Sequence, residues 1–278
     1  MKTRIITGVV ALCVLLPVLF LSDTWVFPIA LALCCLLSVF EMLRCIGTLK
    51  EWQISLPILV VSPAVVLAIR PVNAFDGFTF TTVALPLLML AMLYLLAVMV
   101  FSKNAISIED VCVSGFMGAY IAAAFASILF LRDSTGGAYT YLLIFIGAWI
   151  TDIFAYFTGM LFGKHKLIPE ISPKKTIEGS IGGTLFCGGA FVLYGALVDR
   201  FVEEASTMNL LVLFAYGIVV AVVSQVGDLC MSAIKRRYGI KDFGKIFPGH
   251  GGMLDRFDSI IAVAVVLFVL NGFSSVFN

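Results

Sequence analysis

Nine apolar runs follow one another along this chain, at approximately 5–22, 24–43, 54–69, 81–101, 110–131, 139–163, 180–198, 208–231 and 257–277. A helix needs about 20 such residues to cross the hydrocarbon core of a bilayer. The expected fold is therefore an all-α polytopic membrane protein with about nine transmembrane helices. The third run carries Pro57 and Pro63 and is the weakest of the nine. The first follows Lys2 and Arg4, but no small-residue cleavage site comes after it, so it reads as a retained helix rather than a signal peptide. Composition agrees. Hydrophobic residues make up 61% of the 278 and charged residues only 13%, with a mean hydropathy of +1.09, where soluble domains average about 45–50% apolar. The seven cysteines (Cys13, Cys34, Cys35, Cys45, Cys112, Cys187 and Cys230) lie in or beside apolar runs without metal-site spacing and read as packing residues.

Net charge is uninformative at +1, but charge distribution is not. With nine crossings and the N-terminus inside, fifteen of the 18 Lys and Arg fall on the cytoplasmic side, leaving Arg70, Arg132 and Arg200 opposite. That is a strong positive-inside bias, and it puts the C-terminus outside. Ten of those fifteen sit in two loops, 164–179 and 232–256. The expected organisation is an N-terminal set of about five helices over 1–135, then a catalytic membrane region over 136–278 carrying both loops.

Lysines alone would serve to orient helices, but these loops hold more. In "ISPKKTIEGSIGG" (Ile171 to Gly183), two lysines, a Ser, a Thr and a Glu precede a glycine-rich helix start. Free N–H groups at a helix N-terminus favour an anion. Small residues there also serve helix packing; it is their combination with Lys174, Lys175 and Thr176 that suggests a phosphate cradle. Acidic residues at membrane depth sharpen the reading. Asp152 lies in "AWITDIFAYFTG" and Asp228 in "VSQVGDLCMSAIKRR", and an ionisable group there faces a partner or a polar cavity. The plainer reading is an ion pair with a neighbouring helix. Yet Asp228, Ser232 and Lys235 share one helix face, as do Asp152, Tyr156 and Gly159, and Asp255, Asp258 and Ser259 would open the last helix. Carboxylates beside many cations suit Mg²⁺ held together with phosphate. Two histidines and no well-placed thiolate make no zinc site, and the chain has no Walker loop, GxGxxG or HExxH.

The stretch "SAIKRRYGIKDFGKIFPGHGGMLDRFDS" (Ser232 to Ser259) resembles the signature of the phosphatidate cytidylyltransferases, the CDP-diacylglycerol synthases. Ser232, Lys235, Arg236, Lys241, Asp242, Gly244, Phe247, Pro248, His250, Gly251, Gly252, Asp255, Arg256 and Asp258 all fit it without departure, and "SPKKTIEGSIGG" and "SQVGDL" are similar to upstream segments of the family. The similarity covers about residues 145–277. It implies a reaction in phospholipid biosynthesis: CTP and phosphatidic acid give CDP-diacylglycerol and pyrophosphate, with Mg²⁺ required. It also implies roles. Asp228 and Asp255 would be the main metal ligands, with Asp258 and Asp152 nearby. Asp228, Lys235, Asp255 and Arg256 would form the catalytic group. Ser172, Lys174, Lys175, Thr176, Glu178, Gly179, Ser232, Arg236, Lys241, His250, Gly251 and Gly252 would hold substrate.

The expected partners are CTP, phosphatidic acid and the bilayer of the plasma (inner) membrane, with the active site facing the cytoplasm and no nucleic acid. A homodimer and a monovalent cation beside the Mg²⁺ both stay open. Two other classes are weighed: another lipid-phosphate enzyme, such as a CTP-dependent polyprenol or phytol kinase or a CDP-alcohol phosphotransferase, and a transporter. The DGxxAR-type pattern of the phosphotransferases is missing, and no pair of matching half-sequences marks a transporter.

Overall fold

The computed structural model describes residues 2–70, 83–102, 106–202 and 209–277. Lys103 and the starts of the fourth and eighth expected runs, at 81–82 and 208, lie outside the described residues. The long helices are α1 (Lys2–Phe20), α2 (Val26–Ile46), α3 (Trp52–Leu67), α4 (Leu85–Phe101), α5 (Ile108–Asp133), α7 (Leu142–Phe162), α8 (Ile177–Phe201), α9 (Leu210–Arg237) and α10 (Leu254–Phe273). A single turn, α6 (Gly137–Thr140), leads into α7. Each long helix overlaps one expected run. Six spans are long and apolar enough to cross a membrane: α2, α5, α6 with α7, α8, α9 and α10. The helices α3 and α4, at 16 and 17 residues, and the stretch Thr7–Phe20 of α1 are apolar but shorter. The protein is a helical, multi-pass membrane protein.

The chain divides into two compact units. The first holds residues 1–129 and 238–257, the second 130–237 and 258–278. The signature segment 238–257, expected within the C-terminal region, thus groups with the first five helices.

In the first unit, α2 turns back through Gly47, whose φ of +99° closes the helix with its N–H on the Leu43 carbonyl. This left-handed position favours glycine. A 3₁₀ turn, Thr48–Lys50, then leads into α3. Phe27, Val39, Met42, Leu43, Ile54, Ile121, Phe125 and Phe243 fill the interior. A buried hydrogen bond of 2.9 Å ties Thr48 Oγ1 to Ser114 Oγ. The only described α4 residue that is buried is Leu95, while Leu90 and Leu93 are exposed, as lipid contact requires.

The second unit is built on glycine-mediated helix contact. A Cβ on Gly179 would lie 2.6 Å from the Ala155 carbonyl, and one on Gly183 would lie 2.7 Å from that of Thr151. Only small residues let α7 and α8 approach this closely, the usual device where lipid offers no hydrophobic drive. The same holds at Gly217, where an added Cβ would meet Gly188 Cα at 2.7 Å. Between α7 and α8 the expected loop is an antiparallel hairpin, β1 (Lys166–Ile168) with β2 (Ser172–Thr176).

Candidate active site

In the second unit, Gly227 of α9 has no side chain, and a Cβ there would meet the Ala262 methyl at 2.6 Å and the Asp258 carbonyl at 3.1 Å. That close crossing brings Asp228, the next residue along α9, to the start of this unit's part of α10. Asp258 accordingly has Asp228, Lys235 and Asp152 as its charged neighbours. Lys235 is buried, which a lysine tolerates when carboxylates such as Asp258 lie beside it. Lys175 reaches in from the end of β2 and forms an ion pair with Asp228, its ammonium nitrogen shielded from solvent. Ser232 Oγ sits 3.5 Å from Asp228 Oδ1, one turn along α9. Three of the expected metal ligands and three expected substrate or catalytic residues therefore come together: Asp152, Asp228, Asp258, Lys175, Ser232 and Lys235.

Other residues of the 172–179 segment build the segment itself. Thr176 caps α8, its Oγ1 accepting the Gly179 N–H at 3.2 Å, the usual service of a Thr at this position. Glu178 turns back to the entrance of the hairpin. It accepts the Lys164 N–H at 3.1 Å and the His165 N–H at 3.2 Å, and lies 2.6 Å from His165 Nδ1. Gly179 is buried in the α7–α8 contact. Lys174 is exposed, and Ser172, which opens β2, is half-buried.

In the first unit, the signature segment folds into a tight loop. Phe247 N–H donates to the Gly251 carbonyl and His250 N–H to that of Phe247, each at 2.9 Å. Gly249 and Gly251 take φ of +80° and +89°, a region that only glycine enters freely. A cleft of about 710 Å³ opens over this loop, lined among others by Lys241, Lys245, His250, Gly251 and Arg256. The imidazole of His250 is held from α1. Thr7 Oγ1 donates to the Pro248 carbonyl at 3.3 Å and lies 2.7 Å from His250 Nδ1, so with its proton on Pro248 the hydroxyl accepts from Nδ1–H. Asp255 is buried under the loop, its Oδ2 accepting N–H groups from Phe243 at 2.7 Å, Gly252 at 2.9 Å and Gly244 at 3.4 Å. The Gly252 N–H is thus directed into the protein. Arg236 is exposed at the end of α9, in the second unit.

Two contributors are not among the residues the sequence singles out. Glu41 and Arg44 of α2 both bind the signature loop: Glu41 accepts the Met253 and Leu254 N–H groups, and Arg44 donates to the Phe243 carbonyl. The signal was available, since a carboxylate inside an apolar run is as anomalous at Glu41 as at Asp152.

Among the described residues, no three His, Cys, Asp or Glu are grouped as a ready-made metal cage. Mg²⁺ does not ask for one, since it takes one or two protein carboxylates and completes its shell with water and phosphate. The second unit offers Asp228 and Asp258 as hard oxygen donors. One turn before Asp228, Ser224 Oγ is buried without a hydrogen-bond partner among the described residues. This donor set fits such an ion.

Carboxylates and shielded cations at a helix crossing, with a basic glycine loop in the same chain, suit phosphate chemistry at a membrane. Similarity to known proteins gives that chemistry its family. Proteins named phosphatidate cytidylyltransferase from Staphylococcus haemolyticus, Staphylococcus aureus and Staphylococcus epidermidis are each 36% identical to this chain over 270 residues, covering 97% of it and 98% of the relative. With residues 2–273 matching its sequence pattern, the chain belongs to the cytidylyltransferase family.

Proposed function

We propose that this protein is a phosphatidate cytidylyltransferase, forming CDP-diacylglycerol and pyrophosphate from CTP and phosphatidic acid. The observation that carries the reading is similarity along nearly the whole chain to proteins of that name. The signature residues Ser232 to Ser259 lie within the matched region.

The phosphate of the lipid is largely dianionic at neutral pH, its second pKa being about 6. One of its oxygens attacks the α-phosphorus of CTP, a new P–O bond forms, and the α–β bridging bond breaks to release pyrophosphate. No general base is required. The difficulty is electrostatic, and fixed cations are the remedy. Within the second unit, Lys175 and Lys235 would supply positive charge beside Asp228 and Asp258; within the first, the cleft over the signature loop, with Lys241, Lys245, His250 and Arg256, would receive phosphate. In this proposal Asp228 and Asp258, with Asp152 close by, would hold a Mg²⁺, which would supply charge neutralisation for phosphate. The Lys175–Asp228 pair compensates both charges. Asp255 serves by organising the loop. We further propose nine crossings in the plasma membrane, with the N-terminus and both loops on the cytoplasmic side.

The test is incubation of purified protein with α-labelled CTP, phosphatidic acid and Mg²⁺. Label should appear in a lipid, and chelation should abolish its appearance. A γ-labelled nucleotide that labels lipid instead would make the protein a kinase and overturn the assignment.

A further inference from the structure

The loop that the signature forms is fixed by a helix more than two hundred residues away in sequence. Glu41 is 1% exposed in the first unit. Its Oε1 accepts the Met253 N–H at 3.0 Å and its Oε2 the Leu254 N–H at 2.8 Å. Gly244 and Gly252 press on the same carboxylate, so a methyl on either would collide with it. From the other side, Asp255 Oδ2 accepts the N–H groups of Phe243, Gly244 and Gly252. One turn along α2 from Glu41, Arg44 takes the Phe243 carbonyl. Two buried carboxylates therefore bind five backbone donors, and α2 holds both ends of the segment 243–254. Such charge-assisted bonds are the strong ones, and the cleft with Lys241, Lys245, His250 and Arg256 lies on the loop they fix.

We infer that Glu41 is a positioning residue for the nucleotide: it holds the backbone of 243–254 in the form that receives the triphosphate, and so sets affinity for CTP without touching the reacting atoms. The inference rests on the proposed cytidylyl transfer for its substrate, but its structural arm stands independently. A Glu41 that served stability alone would lower the melting temperature and leave CTP saturation unchanged.

The experiment compares wild type with Glu41→Gln, which keeps size and one acceptor oxygen but turns an amide donor toward the second N–H. Hydrogen exchange is followed at 243–254, and KM is measured for CTP and for phosphatidic acid. Loss of one charge-assisted bond is expected to speed exchange at Met253 and Leu254 and to raise KM for CTP, each by about tenfold to a hundredfold. KM for phosphatidic acid should change less than about twofold, since no lost bond faces the lipid. A folded Glu41→Gln protein with wild-type CTP saturation overturns the inference, whether or not exchange at 243–254 has changed. Should that variant not purify, Gly252→Ala crowds the same carboxylate and must produce the same two shifts; unchanged values there overturn it equally. If wild type transfers no cytidylyl group, the functional reading falls, and exchange at 243–254 still decides whether Glu41 holds the loop.

Discussion

Lys175→Met removes an ammonium while keeping most of the side chain's length, and it strands the Asp228 carboxylate beside Asp258 and Asp152. Lys175 and Asp228 are each 25% exposed in their side chains, so their attraction belongs neither to water nor to a dry interior. An effective dielectric of about 20 gives a gross attraction of about 4 kcal/mol at a separation of about 4 Å. Desolvation and the ordering of a long side chain take back much of this, leaving a coupling of about 1–3 kcal/mol. Each single variant, Lys175→Met or Asp228→Asn, should therefore melt lower by roughly 2–10 °C for a chain of this size. The double variant, having neither charge to strand, should recover to within about 2 °C of wild type if coupling accounts for most of the loss. It should also be inactive, because both groups face the proposed phosphate site. Thermal unfolding of the four proteins in one detergent, alongside label transfer from CTP, reads both quantities. Additive losses, with coupling below about 0.5 kcal/mol, would refute the ion-pair argument. A double variant with near-normal turnover would remove the pair from the chemistry.

Asp255→Ala leaves two well-placed backbone donors, Phe243 and Gly252, buried without an acceptor, at about 1–3 kcal/mol each; faster proteolysis within 238–257 checks this. Asp255→Asn keeps an acceptor oxygen and should cost about 1 kcal/mol in the same assay. In a cysteine-free background, cysteines placed singly at Lys166 and Lys241 should both resist an impermeant thiol reagent added outside intact cells; labelling of either would overturn the orientation.

The helical plan was legible because a bilayer imposes a length. Even the third run, with Pro57 and Pro63, is a continuous helix, α3. The ends were less legible. Hydropathy stops α9 near 231, whereas the helix continues to Arg237 with Lys235, Arg236 and Arg237 in its last turn, where cations meet the favourable end of the dipole. Likewise α8 begins three residues before the expected 180, at the point where Thr176 caps it. In the site, helical spacing put Asp228, Ser232 and Lys235 on one face, and the structure keeps them near Asp258 and Lys175. Spacing could not show that Gly179 and Gly183 are spent on helix contact, because close packing and phosphate approach ask for the same residue. Nor could it place the signature loop with the N-terminal helices. Glu41 and Arg44 bind the loop there, and their partners share no sequence period with them.

The bond between Glu41 and Leu254 spans 213 residues, which sets a schedule for the growing chain. At roughly 5–20 residues per second, α2 waits about 10–40 s after its synthesis before its partners exist. Through that interval an apolar helix carries a carboxylate with no backbone donors to receive it. A chain halted before the last helix would leave it so indefinitely. Such a nascent fragment should be a preferred target for membrane quality control, recognised by a polar group in a helix that the finished protein conceals.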